Sequence, residues 1–436
     1  MDFITLRATI YNVLLSLITE DGINASGRNE IYGCIFGRDS AITILKILKV
    51  LSNEKIDPAI DTQYLKEVCK RSLLTLCALQ GKKHNVESGE QPGKFIHEYR
   101  KEKYDHLLSL EKPWFVYPDK KLRNFDSLDA TPLALIAIFR YYELTNDSEF
   151  LLRVMPSVEK GLKWILKYAD LDGDSLVEYE LSAKRVSGGL VVQSWTDSHE
   201  SLRQVDGKFP NYPIAPVEVQ GYVWLALTLW SRFYSSNEIA GVLPSFAMRL
   251  SRRAKKMKKV FNKKFMLIDR GFAFPAQALD GDKTQITTIT GNPLLLLWAS
   301  DIHDGIRESI LDEKFVEDLV HRSFMPDLFE PDAGIRTMSA LSPTYNPHED
   351  SYHNGSFWPK LNGMAHEGLV LWGFENEAYL LKLATLTPIA YFNSPIELYG
   401  KDADGAYIEF RNPTGQVGCR EQAWSAAAAL DLLIES

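Results

Sequence analysis

Residues 130–168 read ATPLALIAIFRYYELTNDSEFLLRVMPSVEKGLKWILKY, and this stretch contains the pattern that decides the fold. Apolar residues recur three and four positions apart on both sides of Asn146-Asp147. That spacing predicts two α-helices, and the two residues between them predict a tight turn. The stretch therefore predicts a helical hairpin made of 130–145 and 148–168.

The same periodicity predicts helices along almost the whole chain. The predicted spans are 5–19, 39–52, 62–80, 130–145, 148–168, 216–236, 240–263, 291–300, 314–323, 356–373, 375–391 and 420–434. Twelve helices in pairs predict an all-α protein with an (α/α)6 toroid, a barrel of six helical hairpins, with minor β-hairpins in its loops. No linker or composition shift divides the chain, so we expect a single catalytic domain over residues 1–436.

The composition is that of an ordinary globular protein. The chain has 436 residues, of which 45% are hydrophobic and 24% are charged, and its formal net charge is −8. This acidic balance argues against non-specific binding of nucleic acid, and a neutral or small substrate is expected. The nine Trp and nineteen Tyr residues suit carbohydrate stacking and a large core equally well.

Compartment and partners follow from what the sequence lacks. Its four cysteines form no CxxC pair and no metal-ligand spacing with His, so we expect reduced thiols rather than a zinc site or disulfides. No apolar stretch reaches the roughly 18–20 residues of a membrane span, and the first helix lacks the flanks of a signal peptide. We therefore expect a cytoplasmic protein with no membrane partner, and the sequence leaves its oligomeric state open.

Long, polar and aromatic-rich loops connect the predicted helical pairs. They lie at 20–38, 81–129, 170–215, 326–355 and 392–419, far longer than the usual few residues. Loops of this length on a rigid scaffold usually carry function. We therefore expect them to gather at one end of the barrel and to form the site.

The loop at 170–215 contains QSWTDSHE at residues 193–200, with Asp197 close to the indole of Trp195. A carboxyl beside an aromatic ring loses hydration of its charged form, which raises its pKa. A general acid needs a raised pKa of this kind. The alternative is that Asp197 caps the next turn, since Asp is common at helix starts.

Two further loops offer polar side chains for a sugar. The motif FGRDS at residues 36–40 enters a predicted helix, and Arg38 with Asp39 suits bidentate binding of vicinal hydroxyls. Alternatively, Asp39 or Ser40 is an N-cap. The Pro-Gly turn before His97 and Glu98 predicts a strand or hairpin; these two residues line a site, or His97 is structural.

Candidates in the second half of the chain include carboxylates and an aromatic cluster. Glu218 opens an apolar helix and is either an acceptor for a sugar hydroxyl or half of an internal ion pair. The motif YHNGSFWP at 352–359 favours ligand binding over a place in the core. Glu409 and Glu421 are candidates for the base of an inverting glycosidase, whose two carboxyl groups lie about 6.5–9.5 Å apart.

Three other motifs are interpreted structurally. DLDGD at 170–174 resembles a calcium loop, but its glycine comes two places early and Leu181 replaces the bidentate Glu. We therefore expect no metal there, and instead the turn of a β-hairpin. The basic run 252–259 is the outer face of an amphipathic helix, and Asp129 is interpreted as a helix cap.

The ordered set of these motifs resembles the bacterial amylo-α-1,6-glucosidase, or glycogen-debranching-like, proteins. The motifs are FGRDS 36–40, PGK 92–94 with His97-Glu98, DATP 129–132, DGD 172–174, WTDS 195–198, PVEVQGY 216–222, YHNGSFWP 352–359 and QAW 422–424. SWTDS at 194–198 and EFRNPTG at 409–415, with WSA at 424–426, are similar to the acid and base motifs of a more distant clan. That clan contains α-glucosidase I and the glucosylglycerate and mannosylglycerate hydrolases.

The resemblance implies an inverting, exo-acting glycoside hydrolase that releases a terminal α-linked glucosyl unit from an oligosaccharide or small glucoside and needs no cofactor. It implies Asp197 as general acid and Glu409 as base, with Glu421 outside the catalytic pair. The residues expected to bind substrate are Phe36, Arg38, Asp39, His97, Glu98, Trp195, Glu218, Tyr352, His353, Trp358 and Glu421. Alternatives are a mannosylglycerate- or glucosylglycerate-type hydrolase, a sugar epimerase and a non-catalytic glycan-binding toroid.

Overall fold

The computed structural model describes residues 3–54, 56–236 and 244–434, and this part of the chain is predominantly helical. The helices are α1 Phe3–Ser16, α2 Gly37–Leu51, α3 Thr62–Ala78, α4 Asp105–Leu108, α5 Ala130–Thr145, α6 Ser148–Lys167, α7 Val217–Ser236, α8 Pro244–Lys264, α9 Leu295–Trp298, α10 Val316–Ser323, α11 Pro359–Trp372, α12 Glu375–Phe392 and α13 Ala423–Ile434. Short 3-10 helices at Asn292–Leu294 and Glu313–Phe315 precede α9 and α10.

Eleven of the twelve helices predicted from periodicity are confirmed, with changes at their ends. The helix predicted at 291–300 is confirmed only in part, since a 3-10 helix and the four-residue α9 occupy it and Ser300 begins a strand. The predicted start of α8 at residue 240 lies outside the described residues. Helix α11 begins at Pro359 rather than at residue 356, because proline is favoured in the first turn, where its missing N–H costs nothing. The four-residue helix α4 was not predicted.

The strands are short, and all of their pairings are antiparallel. They are β1 Ile18–Thr19, β2 Gly22–Ile23, β3 Ile35–Phe36, β4 Glu98–Arg100, β5 Leu122–Asn124, β6 Ala215–Pro216, β7 Met266–Asp269, β8 Phe272–Pro275, β9 Ala278–Leu279, β10 Gln285–Ile286, β11 Ser300–His303, β12 Ile306–Ser309, β13 Phe329–Glu330, β14 Gly334–Ile335, β15 Tyr399–Lys401 and β16 Tyr407–Glu409. Two sheets have three strands, β3-β4-β5 and β6-β9-β10, and the other strands form two-stranded pairs.

The chain divides into two compact units. The first unit contains the residues up to Ala169, Glu180–Asp197 and the residues from Cys419 onward, and the second contains Asp170–Tyr179 and Ser198–Gly418. The single catalytic domain expected over residues 1–436 stays a prediction.

The first unit is built on α2, which packs against α5 and α13. Most residues of α2 are buried, as its apolar sequence requires. Lys46 of α2 bonds to Asp431 of α13 at 2.8 Å, and both side chains are buried. In the sheet, Phe36 pairs with Glu98, and a Cβ on Gly37 would collide with a backbone carbonyl oxygen. These contacts bring the start of α2 beside β4.

The second unit contains α7, which packs against α8 and α9, and α11, which packs against α9 and α12. Nearly every residue of α7 is buried, in agreement with a helix that reads apolar on most sides. On α8, Leu250, Ala254, Met257 and Phe261 are buried. Of the charged residues of the basic run, Arg252, Lys255, Lys256 and Lys259 are exposed, and Arg253 and Lys258 are half-buried. The amphipathic reading of residues 252–259 is confirmed.

The loop that begins at Asp170 is not the β-hairpin that its sequence predicted. Its carboxylates satisfy the loop backbone themselves, since Asp170 accepts hydrogen bonds from Gly173 and Ser175 at 2.8 and 3.2 Å. Beyond it, Tyr179 forms only an isolated bridge. The hairpin interpretation is therefore wrong, because side chains rather than a partner strand hold the turn.

Lysine and arginine side chains neutralise the acidic loop. The Lys283 ammonium lies 2.6 Å from Asp172 and 3.2 Å from Asp174, and it also bonds to Glu178. Asp170 pairs with Arg253 at 2.7 Å, and Asp174 pairs with Lys264 at 3.0 Å. The three Asp carboxylates of the loop lie close enough to share one cation, and basic side chains of the same unit supply that positive charge.

Two sequence expectations concern the whole chain. The four cysteines, Cys34, Cys69, Cys77 and Cys419, are free thiols. Among the described helices, none combines the length and the apolar character that crossing a membrane requires.

Candidate active site

Arg38 lies in the first turn of α2 and is 2% exposed. Its Nε donates to Asp129 Oδ2 at 2.7 Å, and its Nη1 donates to Asp197 Oδ2 at 2.9 Å. Its Nη2 donates to the carbonyl oxygen of Ser194, also at 2.9 Å. The guanidinium therefore holds two carboxylates and the backbone of the loop that carries the predicted acid.

Asp197 lies in an irregular segment, and its side chain is 22% exposed. No helix begins in residues 198–216, all of which the structure describes. Asp197 therefore caps no helix, and the alternative that it caps the turn closed by Ser198 and Ser201 stays a prediction. The carboxyl combines an anchored oxygen with partial access to solvent, as a group that exchanges a proton with a substrate must.

The environment of Asp197 moves its pKa in the direction predicted from sequence. Burial raises the pKa of Asp197 above its ordinary value, the charge and hydrogen bond of Arg38 oppose this, and the charge of Asp129 raises it further. Trp195 is buried in the same unit. The predicted direction was right, although a second carboxylate also contributes.

Asp129 has a different role from the helix cap that was predicted. Its side chain makes no capping hydrogen bond at the start of α5. Instead, the Ser127 hydroxyl accepts from the Ala130 N–H at 3.1 Å and donates to Asp129 Oδ1 at 2.6 Å. Asp129 does occupy the N-cap position, but the prediction that its side chain caps the helix is wrong, because Ser127 makes that hydrogen bond and the Asp129 carboxylate is bound to Arg38.

Asp39 and Glu421 lie at the ends of α2 and α13 that meet in the first unit. Asp39 Oδ1 accepts a hydrogen bond from Gln422 Nε2 at 3.2 Å. Because α2 begins at Gly37, neither Asp39 nor Ser40 is its N-cap, and that alternative is wrong. Glu421 is half-buried, and its charge raises the pKa of Glu30, an effect smaller than that of burial.

Phe36, His97 and Glu98 form a group beside Arg38. The rings of Phe36 and His97 meet edge to face at 5.4 Å. Burial lowers the pKa of His97 well below its usual range, and the charge of Arg38 adds to this, so the imidazole is neutral. Glu98 is buried and pairs with Arg100; burial raises its pKa, Arg100 opposes this, and the Asp197 charge adds to the rise.

The second unit contains the predicted aromatic cluster. His353 stacks on Trp358 with ring centroids 4.8 Å apart, and Tyr352 meets both rings edge to face. The Trp358 Nε1–H donates to the carbonyl oxygen of Tyr352 at 3.0 Å, and the Tyr352 hydroxyl donates to Glu397 at 2.6 Å. One face of the Trp358 ring is thus covered by an imidazole, while Tyr352 stays half-buried.

His353 also reaches the segment that follows the predicted acid in the sequence. Its Nδ1 lies 3.0 Å from the Ser198 hydroxyl and 3.4 Å from the Ser198 backbone nitrogen. Nearby, Asn354 donates to the carbonyl oxygen of Glu200 at 3.3 Å. The YHNGSFWP loop therefore supports the residues directly after Asp197.

Glu409 ends strand β16 opposite Tyr399 and is half-buried. The next residue, Phe410, packs on Tyr352 with ring centroids 4.9 Å apart. On this hairpin Ile408 lines a cavity of about 920 Å³, and side chains alternate along a strand, so Glu409 points to the other face. Glu218 lies in the first turn of α7 with none of its surface exposed.

Sequence reasoning missed several contacts of the site. Asp129, Ser127, Ser198 and Glu397 were not predicted as site residues, although Asp129 belongs to one of the quoted motifs. A buried arginine needs an acidic partner, but the sequence alone does not show that Arg38 is buried, so the only signal for Asp129 was its place in the motif DATP 129–132. Nothing in the sequence marks Glu397.

Comparisons with known proteins identify the family of this chain. The family model described as amylo-alpha-1,6-glucosidase matches residues 115–431. A search with the sequence found no matching curated protein.

Solved structures share the fold. A GH63 mannosylglycerate hydrolase from Thermus thermophilus, in complex with Tris and D-glycerate, is 15% identical with a TM-score of 0.67 over 98% of this chain and 99% of that one. An alpha mannosidase from Streptococcus pneumoniae, described as metal-independent, is 13% identical with a TM-score of 0.62 over 99% and 93%. A rhamnosidase from Klebsiella oxytoca is 11% identical with a TM-score of 0.56 over 98% and 63%.

At these identities the likeness shows the fold alone, and it confirms the predicted all-α, (α/α)6 class. Because the family model covers most of the sequence, the family follows from it directly. The chain belongs to the amylo-alpha-1,6-glucosidase family and is a glycoside hydrolase.

Proposed function

We propose that this glycoside hydrolase is an inverting, exo-acting enzyme that releases a terminal α-linked glucosyl unit from an oligosaccharide or small glucoside in the cytoplasm. The observation that supports this most is Asp197, a partly exposed carboxyl fixed by Arg38 at 2.9 Å. Its raised pKa is what a proton donor near neutral pH requires.

The reaction uses two carboxyl groups. Protonated Asp197 gives its proton to the glycosidic oxygen as the bond between that oxygen and the anomeric carbon breaks. Glu409 takes a proton from a water molecule, whose oxygen attacks the anomeric carbon from the opposite face. The products are the free sugar with inverted configuration and the released alcohol, and no cofactor takes part.

The predicted binding residues divide into two roles. Arg38 acts mainly through Asp197, because its three hydrogen bonds go to Asp129, Asp197 and Ser194. We propose that the hydroxyls and ring of the small carbohydrate substrate contact the other predicted residues. These are Phe36, Asp39, His97, Glu98, Trp195, Glu218, Tyr352, His353, Trp358 and Glu421.

A mannosylglycerate-type hydrolase is the second candidate. The likeness to the mannosylglycerate hydrolase extends over nearly all of both chains.

The experiment that tests the reaction is proton NMR of hydrolysis, with α-linked glucose disaccharides in one arm and mannosylglycerate in the other. The expected result is release of glucose as the β-anomer, which establishes inversion. Release of the α-anomer would contradict the proposed mechanism, and turnover of mannosylglycerate alone would favour the second candidate.

The catalytic pair is tested by substitution. We expect Asp197→Asn and Glu409→Gln each to lower kcat by at least about 100-fold with unchanged circular dichroism. Asp206→Asn, at an exposed carboxylate paired with Lys208, is the matched control and should keep full activity. Full turnover by Asp197→Asn would contradict the assignment of Asp197 as general acid. Loss of activity in Glu421→Gln but not in Glu409→Gln would assign the role of base to Glu421 instead.

A further inference from the structure

Asp129 is a fully buried carboxylate that the proposed reaction does not use directly. Its two oxygens bind different partners, since Oδ2 accepts from Arg38 Nε at 2.7 Å and Oδ1 accepts from the Ser127 hydroxyl at 2.6 Å. Arg38 in turn reaches Asp197 with Nη1 at 2.9 Å. A chain of hydrogen bonds therefore runs from Ser127 through Asp129 and Arg38 to Asp197.

The charges of Arg38 and its two carboxylate partners indicate the role of Asp129 in this series of hydrogen bonds. An arginine stays protonated in a protein, so Arg38 contributes one positive charge in a buried place. Facing Asp197 alone, it would form a neutral pair only with the ionised carboxylate. With ionised Asp129 on its other edge, Arg38 is already neutralised, and the group is neutral when Asp197 is protonated.

We propose that Asp129 is a positioning residue that fixes the orientation of Arg38 and balances its charge, so that Asp197 can carry the proton that the reaction needs. This inference rests on the proposed role of Asp197 as general acid. It assigns Asp129 no contact with the substrate, because its two oxygens are bound to Arg38 and Ser127.

Other titratable groups surround Asp197 in the first unit. Glu98 on β4 interacts with Asp197 and is paired with Arg100. Asp39 on α2 interacts with Arg38, and His97 is neutral because of burial and its cationic neighbours. Of the groups that face Asp197, Asp129 shares the Arg38 guanidinium with it, so we expect substitution there to have the largest effect.

The test is the pH profile of kcat for Asp129→Asn. Asparagine keeps an oxygen acceptor for Arg38 and removes one negative charge. Arg38 then favours ionised Asp197. The fall of kcat on the alkaline side of the profile, its basic limb, should therefore begin at a pH lower than in the wild type by on the order of one unit. At acidic pH the variant should regain most of the wild-type activity, and its KM should change less than its kcat.

Two outcomes separate this role from a purely structural one. A uniform fall of kcat at every pH, with the basic limb unmoved, would overturn the inference and leave Asp197 as the acid. In Asp129→Glu, which keeps the charge, the basic limb should stay near that of the wild type even if the larger side chain lowers kcat. A basic limb moved down as in Asp129→Asn would contradict the charge argument.

A second measurement is made on the wild-type protein, and a variant serves only to assign the signal. Carbon-13 NMR of the protein labelled at aspartate carboxyls, with Asp197→Asn for assignment, should show that Asp197 takes up its proton at a higher pH than an ordinary aspartate does. Protonation of Asp197 only below the ordinary range of an aspartate would overturn the inference. Full activity of Asp197→Asn would instead contradict the proposed function.

Discussion

At the scale of single residues, Arg38 shows how a predicted role changed. The sequence suggested a charged pair of Arg38 and Asp39 for sugar hydroxyls, and the structure directs the guanidinium to Asp129, Asp197 and Ser194. Asp39 instead accepts from Gln422. Two adjacent residues of one motif thus serve different neighbours, because successive side chains on a helix point in different directions.

Tyr352 provides a prediction at the same scale. Its hydroxyl donates to Glu397, which is buried. Hydrogen bonds to charged groups contribute about 1.5–3 kcal/mol to the free energy of unfolding. We expect Tyr352→Phe to lower the free energy of unfolding in urea by that amount. Tyr379→Phe, at a 61% exposed tyrosine of α12, should change it little, and an equal effect of both substitutions would contradict the assignment.

At the scale of elements, the contact between α2 and α13 depends on a buried ion pair. Lys46 and Asp431 bond at 2.8 Å, with side chains that are 2% and 4% exposed. Removing one partner leaves a buried charge, which typically costs about 3–5 kcal/mol. Lys46→Met should therefore destabilise the protein by about that amount in denaturant titration.

Two variants sharpen that measurement. Lys163→Met removes an exposed ion pair with Glu159 within α6, and such pairs contribute about 0.3–0.5 kcal/mol. The double substitution Lys46→Met with Asp431→Leu should recover much of the loss, because it leaves no buried charge. A loss from Lys46→Met as small as that from Lys163→Met would show that the helices do not depend on the pair.

The helices were predictable because their sequence pattern is local. The site was less predictable because its contacts join residues that are far apart in the sequence. Periodicity located α5 and α6 to within one residue at their ends. In contrast, Arg38 meets Asp129 across 91 positions and Asp197 across 159. No helical or strand period reports such pairings, so Asp129 was taken for a cap although Ser127 performs that function.

At the scale of the whole molecule, the acidic loop bears on metal dependence. Asp170, Asp172 and Asp174 are paired with Arg253, Lys283 and Lys264, which occupy the carboxylates that a calcium ion would need. We therefore expect EDTA or added calcium to leave activity and Tm unchanged. A fall in Tm after EDTA, restored by calcium, would contradict this. A non-chelating salt at the same ionic strength is the control for EDTA.

The hydrogen bonds of Arg38 also constrain how activity can arise during folding. They join residues whose separations in sequence exceed the length of any helix in the described part of the chain, so local helix formation cannot create them. Closing such long loops is slow compared with helix formation. We therefore expect the first unit to acquire the ability to protonate a substrate only when these long-range contacts close, later than local helix formation.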